Sequence, residues 1–90
     1  RNFRSRYGEI DIICQDGGTI VFVEVKYRNS HEKGYPEEAV DANKQQIIFG
    51  VSRYYLLIHN LSEDTPCRFD VITYYSYMDR KHYVDAFGGM

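Results

Sequence analysis

Two apolar stretches joined by a pair of glycines constrain this chain more than any other feature of its sequence. Residues 8–14 and 19–27 are two apolar stretches rich in β-branched residues, and they flank Gly17-Gly18. Such stretches are typical of strands, and glycines between two of them indicate a tight hairpin turn. The sequence therefore predicts an antiparallel hairpin near its beginning.

The position of the turn decides which side chains face each other across this hairpin. A turn centred on Gly17-Gly18 places Asp11 opposite Glu24 and Glu9 opposite Lys26. A turn centred on Asp16-Gly17 shifts the partners by two residues. Because side chains in a strand alternate, the same four charged residues share one face of the hairpin in either case.

This charged face predicts a metal site. Two carboxylates that face each other repel unless a positive charge lies between them. Asp11 and Glu24 also stand among Ile10, Ile12, Val23 and Val25, where a charge without a partner is disfavoured. A divalent cation with oxygen ligands suits the two acids, and Lys26 suits a site that handles phosphate.

The bulk composition limits how the chain can bind a polyanion. Ninety residues make one domain, and 43% hydrophobic with 27% charged residues is an ordinary folded composition. A net charge of −2 does not attract nucleic acid by itself, so contacts must come from a local patch. The candidates for the patch are Arg1, Arg4, Arg6, Lys26 and Arg28.

Without a signal peptide or long apolar stretch, the expected location is cytoplasmic with no membrane partner.

The remaining elements follow from local signals. Asp41 is a good N-cap for a helix over 42–59, and Gly50 within that helix suggests close packing against a strand. Two further strands are predicted at 67–75 and 81–87, with Arg68 and Asp70 forming an ion pair. The other predicted features are a loop at 29–36, a helical turn at Pro36-Glu37-Glu38, a loop at 60–66 and a turn at Met78-Asp79.

The two cysteines do not predict a zinc site. Cys14 and Cys67 both fall in strand-like stretches, and neither has a partner at the spacing of zinc ligands. We expect buried free thiols.

An ordered set of motifs through nearly the whole chain resembles a known family. The family is the YraN family of uncharacterised bacterial proteins, which belongs to the PD-(D/E)XK, or restriction-endonuclease-like, nuclease superfamily. The catalytic signature of that superfamily is similar to the set Asp11, Glu24 and Lys26. The matching segments are Gly8-Glu9-Ile10-Asp11, Val21-Phe22-Val23-Glu24-Val25-Lys26, Glu38-Ala39-Val40-Asp41 with Lys44, Tyr54-Tyr55-Leu56, Arg68-Phe69-Asp70-Val71 and Ala86-Phe87.

The resemblance implies an α/β fold. A restriction-endonuclease-like core with a mixed sheet and the order β-β-α-β-β is expected over 1–90, without the N-terminal helix of the family. The apolar sheet face opposite the predicted helix would then need cover. We expect the chain either to pair with a second copy, as a homodimer, or to belong to a longer protein whose N-terminal helix is absent here.

The resemblance also implies an activity, which is hydrolysis of DNA phosphodiester bonds with Mg²⁺ or Mn²⁺. Asp11, Glu24 and the Val25 backbone carbonyl would hold the metal, and Lys26 would assist the attacking water and the phosphate. Branched DNA is a substrate by analogy with archaeal Holliday-junction resolvases. The alternative is a nuclease fold kept as a non-catalytic nucleic-acid-binding or protein-interaction module.

Further residues are assigned supporting roles. Lys44 resembles the helix residue that this superfamily sends toward the site, with Gln45 or Gln46 as competing choices. Glu9 is a second ligand, a supporting partner or a surface charge. The predicted nucleic-acid contacts are Arg4, Arg6, Tyr27 and Arg28.

Overall fold

The computed structural model describes residues 3–28, 40–75 and 80–88. The loop at 29–36, the helical turn at Pro36 and the turn at Met78-Asp79 lie outside these ranges. The described elements, in chain order, are β1 (Phe3–Ser5), β2 (Gly8–Ile10), β3 (Ile12–Asp16), β4 (Thr19–Arg28), α1 (Ala42–Ile58), β5 (Cys67–Tyr75) and β6 (Arg80–Phe87).

The predicted hairpin is formed by β3 and β4. These strands are antiparallel, with Ile12 opposite Val23 and Asp16 opposite Thr19. This register centres the turn on Gly17-Gly18, so the alternative centred one residue earlier is wrong. Gly17 has a φ of 62°, a left-handed conformation that glycine adopts without steric cost.

The continuous strand predicted over 8–14 is wrong, because the chain bends at Asp11. β2 ends at Ile10 and β3 begins at Ile12. The Asp11 carboxylate accepts a hydrogen bond from the Val25 amide at 2.9 Å. This side-chain hydrogen bond takes the place of a backbone hydrogen bond just beyond the end of the β3–β4 pairing. The bend divides the segment between two sheets.

A second small sheet was not foreseen. β1 and β2 pair antiparallel, with Arg4 opposite Glu9. The predicted pairing of Glu9 with Lys26 is therefore wrong. The reason is the bend at Asp11, which carries β2 away from β4.

The main sheet confirms the predicted α/β class with a mixed sheet. Its strand order is β3-β4-β5-β6. β4 and β5 are parallel and the other two pairs are antiparallel. Parallel neighbours need a crossover connection, and α1 lies within that crossover. The predicted order of strand, strand, helix, strand, strand is thus present, preceded by the short strand β1 and with the first strand interrupted.

The helix begins and ends almost where predicted. The Asp41 side chain accepts a hydrogen bond from the Lys44 amide at 2.8 Å, which caps the first turn. His59, predicted as the last helical residue, is the C-cap. The buried face of α1 packs on the central strands. The main cluster of buried apolar residues is Ile10, Ile20, Phe22, Val40, Ile48, Phe49, Val51, Phe69, Val71 and Phe87.

Close packing occurs at Gly8 and not at Gly50. A Cβ atom on Gly8 would stand 2.7 Å from Ile47 Cγ2 and 3.1 Å from Val51 Cγ2, and Gly8 has a φ of 145°. Gly8 thus lets β2 approach α1. A Cβ on Gly50 would meet nothing within 4 Å, so the expectation of close packing there is wrong. Gly50 lies on the solvent side of the helix.

The sheet face opposite the helix is covered in its centre. Val21 and Val23 lie on this face and are nearly fully buried. Arg68 and Asp70 stand beside them on β5 and share the same face by register. The expectation of an open apolar surface is wrong at these positions, because the polar side chains of Arg68 and Asp70 lie on this face beside the buried valines. Self-association of the chain stays a prediction.

The cysteines differ from each other in exposure. Cys14 lies on the edge strand β3 and is exposed, so the expectation of a buried thiol is wrong there. Cys67 is half-buried, its Sγ lies 3.3 Å from the Thr65 carbonyl oxygen, and burial raises the pKa of its thiol.

Candidate functional site

Asp11 is held beside strand β4 by the backbone. Its Oδ2 accepts the hydrogen bond from the Val25 amide, and the residue sits at the bend between β2 and β3. An N–H donor on the neighbouring strand fixes the carboxylate at a defined position. The bend thus turns a strand residue into an oriented acid next to Glu24.

Glu24 is a buried acid in the middle of β4. Its side chain is 7% exposed, and its carboxyl group lies within hydrogen-bonding reach of the Asp11 carboxyl. Burial is the main reason that the pKa of Glu24 is raised from 4.5 to about 7. The hydrogen bond and the negative charge of Asp11 raise this pKa further, while Lys44 and Lys26 act to lower it.

Two lysines provide the positive charge near this pair of acids. Lys44 Nζ lies 3.6 Å from Glu24 Oε2, and the lysine stands in the first turn of α1. Lys26 is half-buried two residues after Glu24, on the same face of β4. The structure therefore brings Asp11, Glu24, Lys26 and Lys44 to one place between β4 and the start of the helix.

Other predicted site residues have different partners. Glu9 forms an ion pair with Arg4, with Arg4 Nε 3.5 Å from Glu9 Oε2. Gln45 Nε2 donates a hydrogen bond to the Val40 carbonyl at 2.8 Å. Both contacts fix local backbone or surface structure.

The predicted nucleic-acid contacts are scattered. The Arg6 guanidinium lies 5.3 Å from the centre of the Tyr7 ring and donates to its hydroxyl. Tyr27 is exposed at the far end of β4. The side chain of Arg28 lies outside the described residues.

Two relationships near the site have no signal in the local sequence. Lys81 lies opposite Thr73, which in turn lies beside Lys26, so both lysines belong to one row across the sheet. Tyr74 stacks on Tyr27. Both relationships depend on strand pairing between segments far apart in the chain, which composition and local spacing do not contain.

A buried acid with its own partners lies on the other face of the sheet. Asp70 is fully buried, and the predicted ion pair with Arg68 is confirmed at 3.1 Å. His82 Nε2 lies 2.8 Å from Asp70 Oδ2, and the Asp85 amide donates to Oδ1 at 2.9 Å. Burial acts to raise the pKa of Asp70, but these hydrogen bonds and the Arg68 charge outweigh it and leave the pKa lowered. Asp70 therefore has a structural role.

The donor set of Asp11 and Glu24 fits a small divalent cation. Over the ranges 3–28, 40–75 and 80–88, no group of three or more His, Cys, Asp or Glu residues is placed to bind a metal. Mg²⁺ is usually bound by one or two carboxylates and keeps several waters, so a pair of acids is sufficient. A cation would also relieve the repulsion that helps to raise the pKa of Glu24.

The fold and this site define a class, an α/β domain in which two carboxyl groups and two lysines meet between a mixed sheet and the first turn of its helix. The chain belongs to the uncharacterised protein family UPF0102, whose sequence profile matches residues 1–74. Within the described part of the chain, no helix combines the length and apolar character that crossing a membrane requires.

Three UPF0102 proteins illustrate the similarity. The protein from Lachnoclostridium phytofermentans is 51% identical over 90 residues, which cover 98% of this chain and 76% of the relative. The protein from Persephonella marina is 49% identical over 73 residues, covering 81% of this chain and 62% of the relative. The protein from Clostridioides difficile is 46% identical over 88 residues, covering 97% and 76%.

Proposed function

We propose that this protein is a Mg²⁺- or Mn²⁺-dependent nuclease of the PD-(D/E)XK type that hydrolyses phosphodiester bonds of DNA. The observation that carries the proposal is the buried Glu24 carboxyl within hydrogen-bonding reach of Asp11, with Lys44 at 3.6 Å. Acids crowded together at a buried position cost stability, and a metal-binding role explains why they are there.

Each residue has a distinct task in this proposal. Asp11 and Glu24 would hold the cation, together with the backbone carbonyl of Val25. When bound, the cation would supply Lewis-acid polarisation of the phosphate and lower the pKa of a water molecule. The Val25 amide keeps Asp11 oriented through its 2.9 Å hydrogen bond, so the carboxylate needs little rearrangement to bind.

Lys26 acts on the phosphate. Its ammonium group stands on the same face of β4 as Glu24, and its positive charge stabilises the negative charge that grows on the phosphoryl oxygens in the transition state. Lys44 acts from the helix and favours the ionised form of Glu24, which is the form that binds a cation.

One observation favours the alternative of a non-catalytic binding module. Lys44 already neutralises part of the Glu24 charge through its 3.6 Å ion pair, as a purely structural lysine would do. In that case the site would bind nucleic acid or protein without cleaving it. The two functions differ in whether the protein cleaves DNA when metal is present.

The deciding experiment is a cleavage assay with Mg²⁺ or Mn²⁺ against linear duplex, single-stranded and four-way-junction DNA. We expect products with metal and none with a chelator, and no products from Glu24→Gln. Asp64→Asn is the matched control, because Asp64 is an exposed acid in the loop after α1. Equal cleavage by wild type and Glu24→Gln would exclude the proposed active site.

A further inference from the structure

An exposed aromatic pair stands at the end of the sheet beside the candidate site. The rings of Tyr27 and Tyr74 are stacked, with centres 5.5 Å apart and planes inclined by 19°. The two residues are paired neighbours on the parallel strands β4 and β5. Tyr27 is 81% exposed, and Tyr74 is 37% exposed. A tyrosine pair whose outer ring is almost wholly open to solvent buries too little surface to be explained by core packing.

The pair is extended by a cation on the next strand. Arg80 lies opposite Tyr74 in the pairing of β5 with β6 and is exposed. Because cross-strand partners share a face, Tyr27, Tyr74 and Arg80 form a row across three strands. We call these three residues the aromatic row. Aromatic faces next to a cation are the combination that single-stranded nucleic acids contact through base stacking and phosphate pairing.

The aromatic row lies next to the residues of the proposed active site. Tyr27 follows Lys26 directly in β4, so their side chains leave the strand on opposite faces of the same end of the sheet. Lys26 belongs to a parallel row with Thr73 and Lys81. A strand of nucleic acid passing around this end of the sheet would therefore meet cations on one face and aromatic rings on the other.

We propose that the aromatic row binds an unpaired nucleobase, and that the substrate of the proposed nuclease is a nucleic acid with a single-stranded segment. This inference rests on the proposed function for the cleavage step, but base binding itself does not. The outer face of Tyr27 takes the base, and Arg80 neutralises a phosphate of the same strand. In a base-paired duplex the base faces are already stacked, so such a platform discriminates against blunt duplex.

Binding is tested without cleavage, by fluorescence anisotropy of a labelled twelve-nucleotide oligothymidine in the presence of a chelator. We expect Tyr27→Ala to weaken binding by about ten-fold, in the range of one lost base–aromatic contact. Tyr27→Phe should bind like wild type, because phenylalanine keeps the ring. Leu57→Ala is the matched control, since Leu57 is another exposed large apolar side chain and lies on α1, outside the aromatic row.

A second probe separates stacking from charge. An abasic oligonucleotide of the same length keeps every phosphate but has no bases, so wild type and Tyr27→Ala should bind it equally. The proposal is overturned if Tyr27→Ala binds oligothymidine like wild type, if it loses the same factor on the abasic strand, or if wild type prefers blunt duplex. If wild type binds oligothymidine through Tyr27 as expected but cleaves no DNA, only the proposed nuclease activity is overturned. Circular dichroism checks that each variant is folded.

Discussion

Lys44 Nζ lies 3.6 Å from Glu24 Oε2, which joins the first turn of the helix to the middle of strand β4. A cation in the first turn opposes the helix dipole, whose N-terminal end is positive. The interaction with a buried carboxyl offsets that cost. It also places a positive charge next to the two acids that we propose as metal ligands.

Metal binding should require both acids. Asp11→Asn and Glu24→Gln each remove one charged oxygen ligand, so we expect calorimetric titration with Mn²⁺ to lose its binding signal in both variants. Asp64→Asn, which changes an exposed acid, should titrate like wild type. Undiminished binding in both ligand variants would show that the metal, if bound, is elsewhere.

Lys26 should matter for turnover and not for folding or metal binding. Lys26→Met removes a charge that acts mainly on the transition state, so we expect cleavage to fall by about 100-fold or more with metal affinity unchanged. Arg53→Met is the control, because Arg53 is an exposed cation on α1 and lies outside the row that contains Lys26. Cleavage at the wild-type rate by Lys26→Met would make Lys26 a structural residue.

Stability in the absence of metal should fall as the pH rises. The pKa of Glu24 is about 7 in the folded chain and 4.5 in its ordinary state, so folding favours the protonated form. The resulting stability is fully present below pH 4.5 and is lost as the pH rises through about 7. This difference between the two pKa values corresponds to at most about 3 kcal/mol of unfolding free energy.

Glu24→Gln tests this pH dependence directly. Glutamine resembles the protonated acid and does not titrate, so the variant should exceed wild type in unfolding free energy at pH 8 and match it near pH 4.5. Urea unfolding with a chelator, at several pH values, measures the difference. A constant difference between the two proteins across this range would contradict the raised pKa of Glu24.

Asp70 should be essential for stability. Asp70→Asn removes the charge that pairs with Arg68 and His82 in a buried position, and we expect a loss of about 3 kcal/mol. Asp16→Asn is the control, because Asp16 contacts the same Arg68 at 2.8 Å but is largely exposed. Its effect should stay within about 0.5 kcal/mol. Equal losses in both variants would show that burial of Asp70 is not the source of its contribution.

Two glycines should respond to alanine in opposite directions. Gly50→Ala should raise the unfolding free energy by about 0.5–1 kcal/mol, because alanine favours the helix and its Cβ meets no atom there. Gly8→Ala should lower it, because the new Cβ would stand 2.7 Å from Ile47 Cγ2 at a φ of 145°. Thermal unfolding of the two variants measures both effects, and a shift of the same sign would contradict the packing described for Gly8.

Features that depend on neighbouring residues could be predicted from the sequence. The glycines predicted the hairpin of β3 with β4 but left two possible turn centres, between which the structure decided, and Asp41 set the start of the helix. Alternation in β4 predicted that Glu24 and Lys26 share a face. Turns, caps and alternation act over a few residues, and so their signals are complete within a short stretch of sequence.

Tertiary structure decided which distant segments meet. The bend at Asp11, made by a hydrogen bond to Val25, moved Glu9 away from Lys26 and gave it Arg4 as a partner. The pairing of β4 with β5 stacked Tyr74 on Tyr27. Such contacts depend on the free energy of packing whole elements together, and no local pattern in the sequence encodes that sum.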